Sequence, residues 1–353
     1  MKEKCKFIIS LFLLGVVLSV LGACQTRQES ATDQNFVPYQ QIQGQTMGTI
    51  VYNITYAGRA NYKADVDSIL KYINNEVSTY IPTSSISRFN QSESGIAIEN
   101  ISQRHFLKNI SIAKEAASQT NNAFDPTVMP LVNYWGFGYT GKEAVTAVDR
   151  AKVDSLRQYI GMEKISIGKN RIAKKSAGIQ LDFSASAKGY AIDEVGRFLE
   201  QKGIFDYKVE IGGEVRTRGK NPDGNLWWLG INTPQESASV SELFAAIQLD
   251  DMSIATSGNY RNYYTVAGVT YSHTINPTTG LPERTNLLSA SIITKDCAYA
   301  DAYATACMVM GLEKAKTWVN AKENVEAYFI FSDENNELQT YATEGIATAI
   351  ERF

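Results

Sequence analysis

Histidine is almost missing from this chain. Of 353 residues only His105 and His273 carry an imidazole, so few side chains can serve as a base near neutral pH with an unshifted pKa. Positive charge is not in excess either. With 34 Lys and Arg against 37 Asp and Glu, the formal net charge is -3 and no basic stripe stands out, which excludes the electrostatic footprint of a nucleic-acid binder. The amino-terminal apolar run, Phe7 to Leu21, is roughly 15 residues and falls short of the ~20 that a bilayer crossing needs. There is no internal repeat, and no linker within residues 37–353 that would split them into independent units, although their number permits two lobes; the small-residue stretch "SASAKGYA" is not a Walker or Rossmann fingerprint. What is present, 44% hydrophobic and 20% charged residues, is the ordinary composition of a globular protein.

The start, "MKEKCKFIISLFLLGVVLSVLGAC", has lysines, then the apolar run, then small residues before Cys24. That is the layout of a secretory signal over residues 1–23. Its ending "LGAC" resembles the bacterial lipobox, in which the cysteine is lipidated; the alternative is a plain cleaved signal with a chance cysteine. Lipidation of Cys24 gives an exported protein held at a membrane, and the polar, aperiodic residues 24–36 suit a flexible tether. Of the four cysteines, Cys297 and Cys307 then remain. On one helix they are separated by about 15 Å of rise, beyond disulfide reach, and they read as small core residues.

From Val37 to Tyr56 the chain reads as extended, with a turn near Gln43 to Gln45 and a strand in "TMGTIVYNITY". Val66, Ile69, Leu70, Ile73 and Val77 fall at helical spacing, and a second helix is expected around Phe106 to Ala117. "NNAFDPTVMPLVNYWGFG" is a structured loop with room for a helical turn. A helix at about Lys142 to Tyr159 follows, then short strands, then a strand ending near Phe183. It leads through small residues into a helix with Ile192, Val195 and Leu199 inward and Gly203 as its stop. "YKVEIGGEVRTRG", "LWWLGIN", "LFAAIQLD", "NYYTVAGVTYSH", "LSASIITK" and "VEAYFIF" read as strands. Helices interspersed with hairpin-like strands, without regular strand-helix alternation, make the fold class α+β, with one domain over 37–353.

The apolar run "KDCAYADAYATACMVMG" places Asp301 and Thr305 four apart, on one face of a helix. A buried carboxylate is costly unless a cation or donors meet it. One reading makes the pair hard oxygen ligands for Mg²⁺ or Ca²⁺ rather than a thiolate-seeking metal. The other makes it structural, the carboxylate bonded to a backbone group or an Arg and the Thr bonded back along its own helix. "SASAKGYA" lets backbone approach a ligand at a helix amino terminus, with Lys188 as a mobile charge for a phosphate, or it simply permits close packing. His273, at a strand end running into a turn, is a base or a structural residue; His105 reads as surface or packing. "VSTYIPTSSISRFN" holds Tyr80, Ser87 and Arg88, "AFDPT" holds Asp125, and "IATSGNYRNY" holds Thr256, Ser257 and Arg261, each of which a capped turn would also explain. Together these features fit a phosphate-containing ligand best.

In order, "TMGT", "STYIPTSSISRFN", "FDPTVMPLVNYWGFG", "LDFSASAKGYAID", "IGGEVRTRG", "IATSGNYRNY", "YSHTINPTTG" and "DAYATACMVMG" resemble the ApbE family, the FAD:protein FMN transferases, over about residues 44–332. The resemblance implies an ApbE-like fold of largely antiparallel strands with packed helices, and an enzyme that cleaves the FAD pyrophosphate and joins FMN through a phosphoester to a threonine of an acceptor flavoprotein, releasing AMP. It implies that Met47, Tyr80, Ala123, Phe124, Asp125, Asp182, Lys188 and His273 line the FAD site. Asp301, Thr305 and the carbonyl of Ala185 would hold Mg²⁺, with Lys188, His273 and Asp301 in catalytic roles. It also implies a lipoprotein facing the periplasm, on the inner membrane before the outer, acting on a membrane redox complex. Two alternatives use the same site: hydrolysis of FAD to FMN and AMP, and a lipid-tethered FAD binder without turnover. Three positions depart from the common family text. Ser184-Ala185-Ser186 replaces a glycine-containing stretch, Glu214 stands where Asp is usual, and Asn276 stands where Asp is frequent; neither of the last two takes a role from the resemblance.

Overall fold

The structure is a computed structural model that describes residues 37–353 apart from 99–102, 141–144, 146, 236–238, 240–241, 260–262, 267–268 and 284. The expected signal, Cys24 and the tether lie outside the described residues, as does Arg261. Pro38–Phe353 form one compact unit.

Along the chain, β1 (Tyr39–Thr46) and β2 (Ile50–Ala57) precede α1 (Lys63–Val77), α2 (Ser85–Gln91), β3 (Gly95–Ala97) and α3 (Arg104–Gln119). Then come α4 (Met129–Tyr134), α5 (Arg150–Arg157), β4 (Ile165–Ile167), β5 (Arg171–Lys174) and α6 (Ala187–Gln201). The strands β6 (Tyr207–Ile211), β7 (Glu214–Arg218), β8 (Trp227–Asn232), β9 (Leu243–Leu249), β10 (Ser253–Gly258), β11 (Tyr263–Val266), β12 (Val269–Ser272) and β13 (Leu287–Thr294) follow. The chain closes with α7 (Cys297–Met310), α8 (Leu312–Asn320), β14 (Glu326–Ser332), β15 (Leu338–Ala342) and β16 (Ile350–Arg352).

The centre is an antiparallel sheet of eight strands, ordered β1-β2-β6-β7-β10-β13-β14-β15. Both faces of its middle are covered. Ala255 and Ile292 belong to the main core shared with α6 and α7, whereas their neighbours Ile254 and Ile293 pack on the other face against Leu229, Ile231 and Ile247 of the smaller sheet β16-β9-β8. Alternate residues of a strand point to opposite faces, so β10 and β13 are buried on both sides, between helices on one face and the sheet β16-β9-β8 on the other; two further small sheets, β3-β5-β4 and β11-β12, complete the described strands of the α+β architecture.

The helix patterns hold where one face is buried: Val66, Leu70, Ile73 and Val77 of α1 are buried, as are Ile192, Val195 and Leu199 of α6. Gly203 ends that helix at φ 76°. Four boundaries differ from expectation. The β1–β2 turn falls at Met47 (φ 48°) and Gly48 (φ 91°), not at Gln43 to Gln45; Gly44 stays in β1 because it faces Tyr52, whose ring fills the space a side chain would need. The helix expected from Lys142 starts at Arg150, where the Asp149 carboxylate accepts from the Lys152 N–H at 3.0 Å. The segment ending at Phe183 is not a regular strand: the Asn90 side chain takes both backbone groups of Leu181, and only Gln180 bridges to Val128. "IATSG", expected as a turn, is strand β10, its polar residues Thr256 and Ser257 paired with Ser291 and Ala290 of β13, while β7 pairs only with the start of the strand at Ser253 and Ile254.

His105 is packed, not at the surface: it is 2% exposed. Arg104 Nε donates to its Nε2 at 3.2 Å, and its Nδ1 lies 2.7 Å from the Tyr190 hydroxyl, a pattern that assigns the neutral Nδ1–H tautomer. Burial first, then the Arg104 charge, lower its pKa, with Glu194 opposing. As pH falls, the unfolded chain therefore takes up this proton before the native one. Native stability is expected to drop as pH falls below about 6.5 and through the lowered folded value. His105→Gln is expected to flatten that part of the decline in urea titrations at pH 7.5 and 5.5; an unchanged pH slope would contradict the assignment.

Candidate active site

A cleft of about 430 Å³ opens where the starts of α6 and β7, the end of β10, one side of α7, the end of β12 and the loop before α4 converge. Lys188 lies in the first turn of α6, and its position is set by charge. Its Nζ is 3.3 Å from Glu214 Oε1 and 3.6 Å from Asp301 Oδ1, and it reaches the Ser184 carbonyl at 3.4 Å. Burial alone would lower the lysine pKa, but Asp301 and Glu214 outweigh it and hold the ammonium above its ordinary range. Burial raises the Glu214 pKa, with Lys188 opposing and Asp301 adding to the rise.

Asp301 is 3% exposed. Its Oδ2 accepts the Gly189 N–H at 3.2 Å, one of the amides at a helix start that lack an acceptor within the helix. In a continued helix that N–H would meet the Ala185 carbonyl. Among the described residues no backbone N–H donates to that carbonyl, which leaves it to other partners beside the carboxylate. Thr305, one turn further along α7, lies 3.1 Å from the Ser257 hydroxyl of β10. Among the described residues no group of three or more His, Cys, Asp or Glu side chains is arranged to hold a metal ion. The donors here are instead one carboxylate, a hydroxyl and a backbone carbonyl, the hard-oxygen set that suits Mg²⁺ with its remaining positions filled by water or phosphate.

Gly189 explains why this pair of helices can meet at all. A Cβ on it would lie 2.2 Å from the Cys297 carbonyl, so only glycine lets α6 and α7 approach this closely. Asp193, one turn on, fixes their register: its carboxylate accepts the Cys297 and Ala298 amides at the start of α7, both at 3.0 Å.

The acidic loops are tied to each other. Asp125 accepts the Thr127 N–H at 2.8 Å, and burial raises its pKa against those Thr127 bonds. The Asp182 N–H donates to the Pro126 carbonyl at 2.7 Å, and its Oδ1 accepts from the Ser184 N–H at 2.8 Å. Burial raises the Asp182 pKa, with Ser184 and then Lys188 opposing. Behind them Asn90 bonds Leu181 O at 2.9 Å and Leu181 N at 2.7 Å, and Lys174 Nζ donates to the Asn90 carbonyl at 3.1 Å. Asn90→Ala leaves two buried backbone groups unpaired and is expected to cost about 1–3 kcal/mol for each. A denaturant titration checks this; a loss under about 0.5 kcal/mol, the size of an ordinary surface change, would contradict it.

His273 follows β12. Its ring meets Phe137 edge-on with centroids 6.4 Å apart. Trp135 steadies the same segment on both sides, stacking on Tyr271 at 5.3 Å and donating its indole N–H to the Gly280 carbonyl at 2.8 Å. Asn276 organises the turn in between, accepting the Thr278 and Thr279 amides.

The structure thus brings Tyr80, Ala123, Phe124, Asp125, Asp182, Ala185, Lys188, His273, Asp301 and Thr305 to one cleft. Tyr80 is 74% exposed at its rim. Met47 is not among the lining residues; it occupies the β1–β2 turn, partly buried against the main core. Thr256, Ser257 and Glu214 also line the cleft, although the first two read as turn residues and Glu214 had no role. Their signal is spatial: nothing in the sequence says that β7 and β10 end beside α6 and α7.

The fold and cleft define an α+β enzyme equipped for a phosphate-bearing ligand. The ApbE family model matches residues 47–329. The chain is 38% identical over 292 residues to a FAD:protein FMN transferase of Vibrio cholerae, covering 80% of this chain and 84% of that protein. It is 31% identical over 337 residues to one of Escherichia coli, covering 93% of each. Among solved structures, it superimposes on a flavin transferase ApbE from Vibrio cholerae with a TM-score of 0.77 and 34% identity, covering 88% of this chain and 98% of the other. A Pseudomonas stutzeri flavinyl transferase ApbE gives 0.76 and 30%, covering 87% and 95%. The chain belongs to the ApbE family.

Proposed function

We propose that this chain moves the FMN portion of FAD onto a threonine hydroxyl of an acceptor flavoprotein and releases AMP. The observation that carries the reading is the meeting of Lys188, Asp301, Thr305 and the Ala185 carbonyl in one cleft, in a chain whose relatives are named FAD:protein FMN transferases. Asp301, Thr305 and Ala185 would hold Mg²⁺, which when bound neutralises phosphate oxygens and opens phosphorus to a nucleophile. The threonine oxygen forms the new bond to the phosphorus of the FMN half, the anhydride bond breaks, and AMP leaves with the bridging oxygen. Lys188 places its ammonium against the charge that builds on the leaving side. His273, which lines the same cleft, takes the hydroxyl proton. Tyr80, exposed at the rim, offers a face on which a flavin ring can stack, and Ala123 to Asp125 with Asp182 bound the rest of the ligand.

The "LGAC" sequence supports lipidation at Cys24, with residues 24–36 as a leash, placing the domain at a membrane on the periplasmic side. The acceptor would then be an exported or membrane-bound redox protein. The test incubates the protein with FAD, Mg²⁺ and a threonine-bearing acceptor peptide, followed by mass spectrometry. The expected product is the peptide carrying FMN, with AMP in equal amount. Free FMN and AMP without a modified peptide would make the protein a hydrolase, and unchanged FAD in a stable complex would make it a carrier.

A further inference from the structure

We infer that Glu214 keeps Asp301 available to a divalent cation by acting as the counter-ion of Lys188. The inference rests on the proposed cation site at Asp301 and deepens it.

One ammonium serves two buried carboxylates here. Lys188 Nζ lies 3.3 Å from Glu214 and 3.6 Å from Asp301, and the two acids are 5% and 3% exposed. Like charges this close and this dry repel strongly, so the lysine holds the pair together. A cation bound to Asp301 would in turn be repelled by an ammonium left on the same carboxylate. Only a second acceptor can draw that ammonium away, and Glu214 is built to be one.

Asp193, Asp125 and Asp182 each accept amides from neighbouring backbone; the Glu214 side chain is paired with Lys188, and its Oε2, though buried, has no hydrogen-bond partner among the described residues. The tip of the β6–β7 hairpin fixes its place. Gly212 (φ 61°) and Gly213 (φ 98°) form the two-residue turn that only glycine adopts readily, setting Glu214 opposite Ile211. A Cβ on Gly212 would lie 3.7 Å from both Glu214 Oε2 and Lys188 Cδ, so the lysine stem and the acid share this corner. Without the Glu214 charge, Asp301 is the one carboxylate left within 4.0 Å of the ammonium among the described residues, and the ammonium competes with the metal for it.

The test titrates the full-length chain with Mn²⁺ alone, followed by electron paramagnetic resonance. Glu214→Gln is expected to weaken binding about ten-fold, a coupling of the size found within one ion-pair network. Glu214→Asp, which keeps the charge, is expected to stay within about three-fold, and in a Lys188→Met background Glu214→Gln is expected to cost less than about three-fold. Unfolding midpoints taken alongside confirm that each variant is folded. Unchanged binding by Glu214→Gln would overturn the inference. So would an equal loss with and without Lys188, since the acid would then act on the cation directly. No binding by the unsubstituted chain would instead overturn the cation site itself.

Discussion

Asp301→Asn is expected to lower the rate of FMN transfer by about 100- to 1,000-fold, the usual cost of removing one charge-stabilising group from a site of this kind. The substitution keeps the shape and still offers an oxygen to the Gly189 N–H, which Asp301 now accepts at 3.2 Å, so the α6–α7 contact should survive. What it removes is the negative charge that faces Lys188 and, in the proposed site, the strongest ligand of the cation. The loss should therefore fall on kcat and on the Mg²⁺ concentration needed for half-maximal rate, with little change in unfolding midpoint. Steady-state kinetics across a Mg²⁺ series checks this. A variant within about ten-fold of the unsubstituted rate, with the same Mg²⁺ requirement, would remove Asp301 from the catalytic machinery.

The largest stability effect is expected at Asp193. It is 0% exposed, accepts the first two amides of α7, and pairs with Arg216 Nη1 at 3.0 Å. Asp193→Ala leaves those amides without an acceptor and a buried guanidinium short of one partner, although Glu200 at 3.2 Å still holds part of it. Breaking a buried pair from one side costs about 3–5 kcal/mol. Guanidinium titration should show that loss, and a change below about 1 kcal/mol would mean that the helix start finds other acceptors. Because Asp193 also sets how α6 sits against α7, the variant should lose Mn²⁺ affinity even where it remains folded.

Much of this arrangement could be read from the chain. The apolar spacing of α1 and α6, the glycine at 203, and the Asp301–Thr305 pair on one helical face all follow from local rules, and the ordered motifs gave the family. What stayed hidden depends on partners distant in sequence. β10 looks like a polar turn because Thr256 and Ser257 are judged alone; in the fold, Thr256 bonds Ser291 across the sheet and Ser257 bonds Thr305. Leu181 has the composition of a strand, yet Asn90, ninety-one residues earlier, satisfies its backbone and prevents a ladder. Glu214 and Asp193 look like ordinary surface acids until the hairpin tip meets Lys188 and α6 meets the start of α7. A lone carboxylate in a sequence carries no sign of which cation or amide will face it.

The most direct test of the cation-assisted transfer is crystallographic. Crystals of the protein grown with FAD and Mn²⁺ should show an anomalous peak bound by Asp301 Oδ1, Thr305 Oγ1 and the Ala185 carbonyl, with the pyrophosphate against it. An anomalous map without a peak there, and Lys188 closed onto Asp301 beside well-ordered FAD, would contradict it.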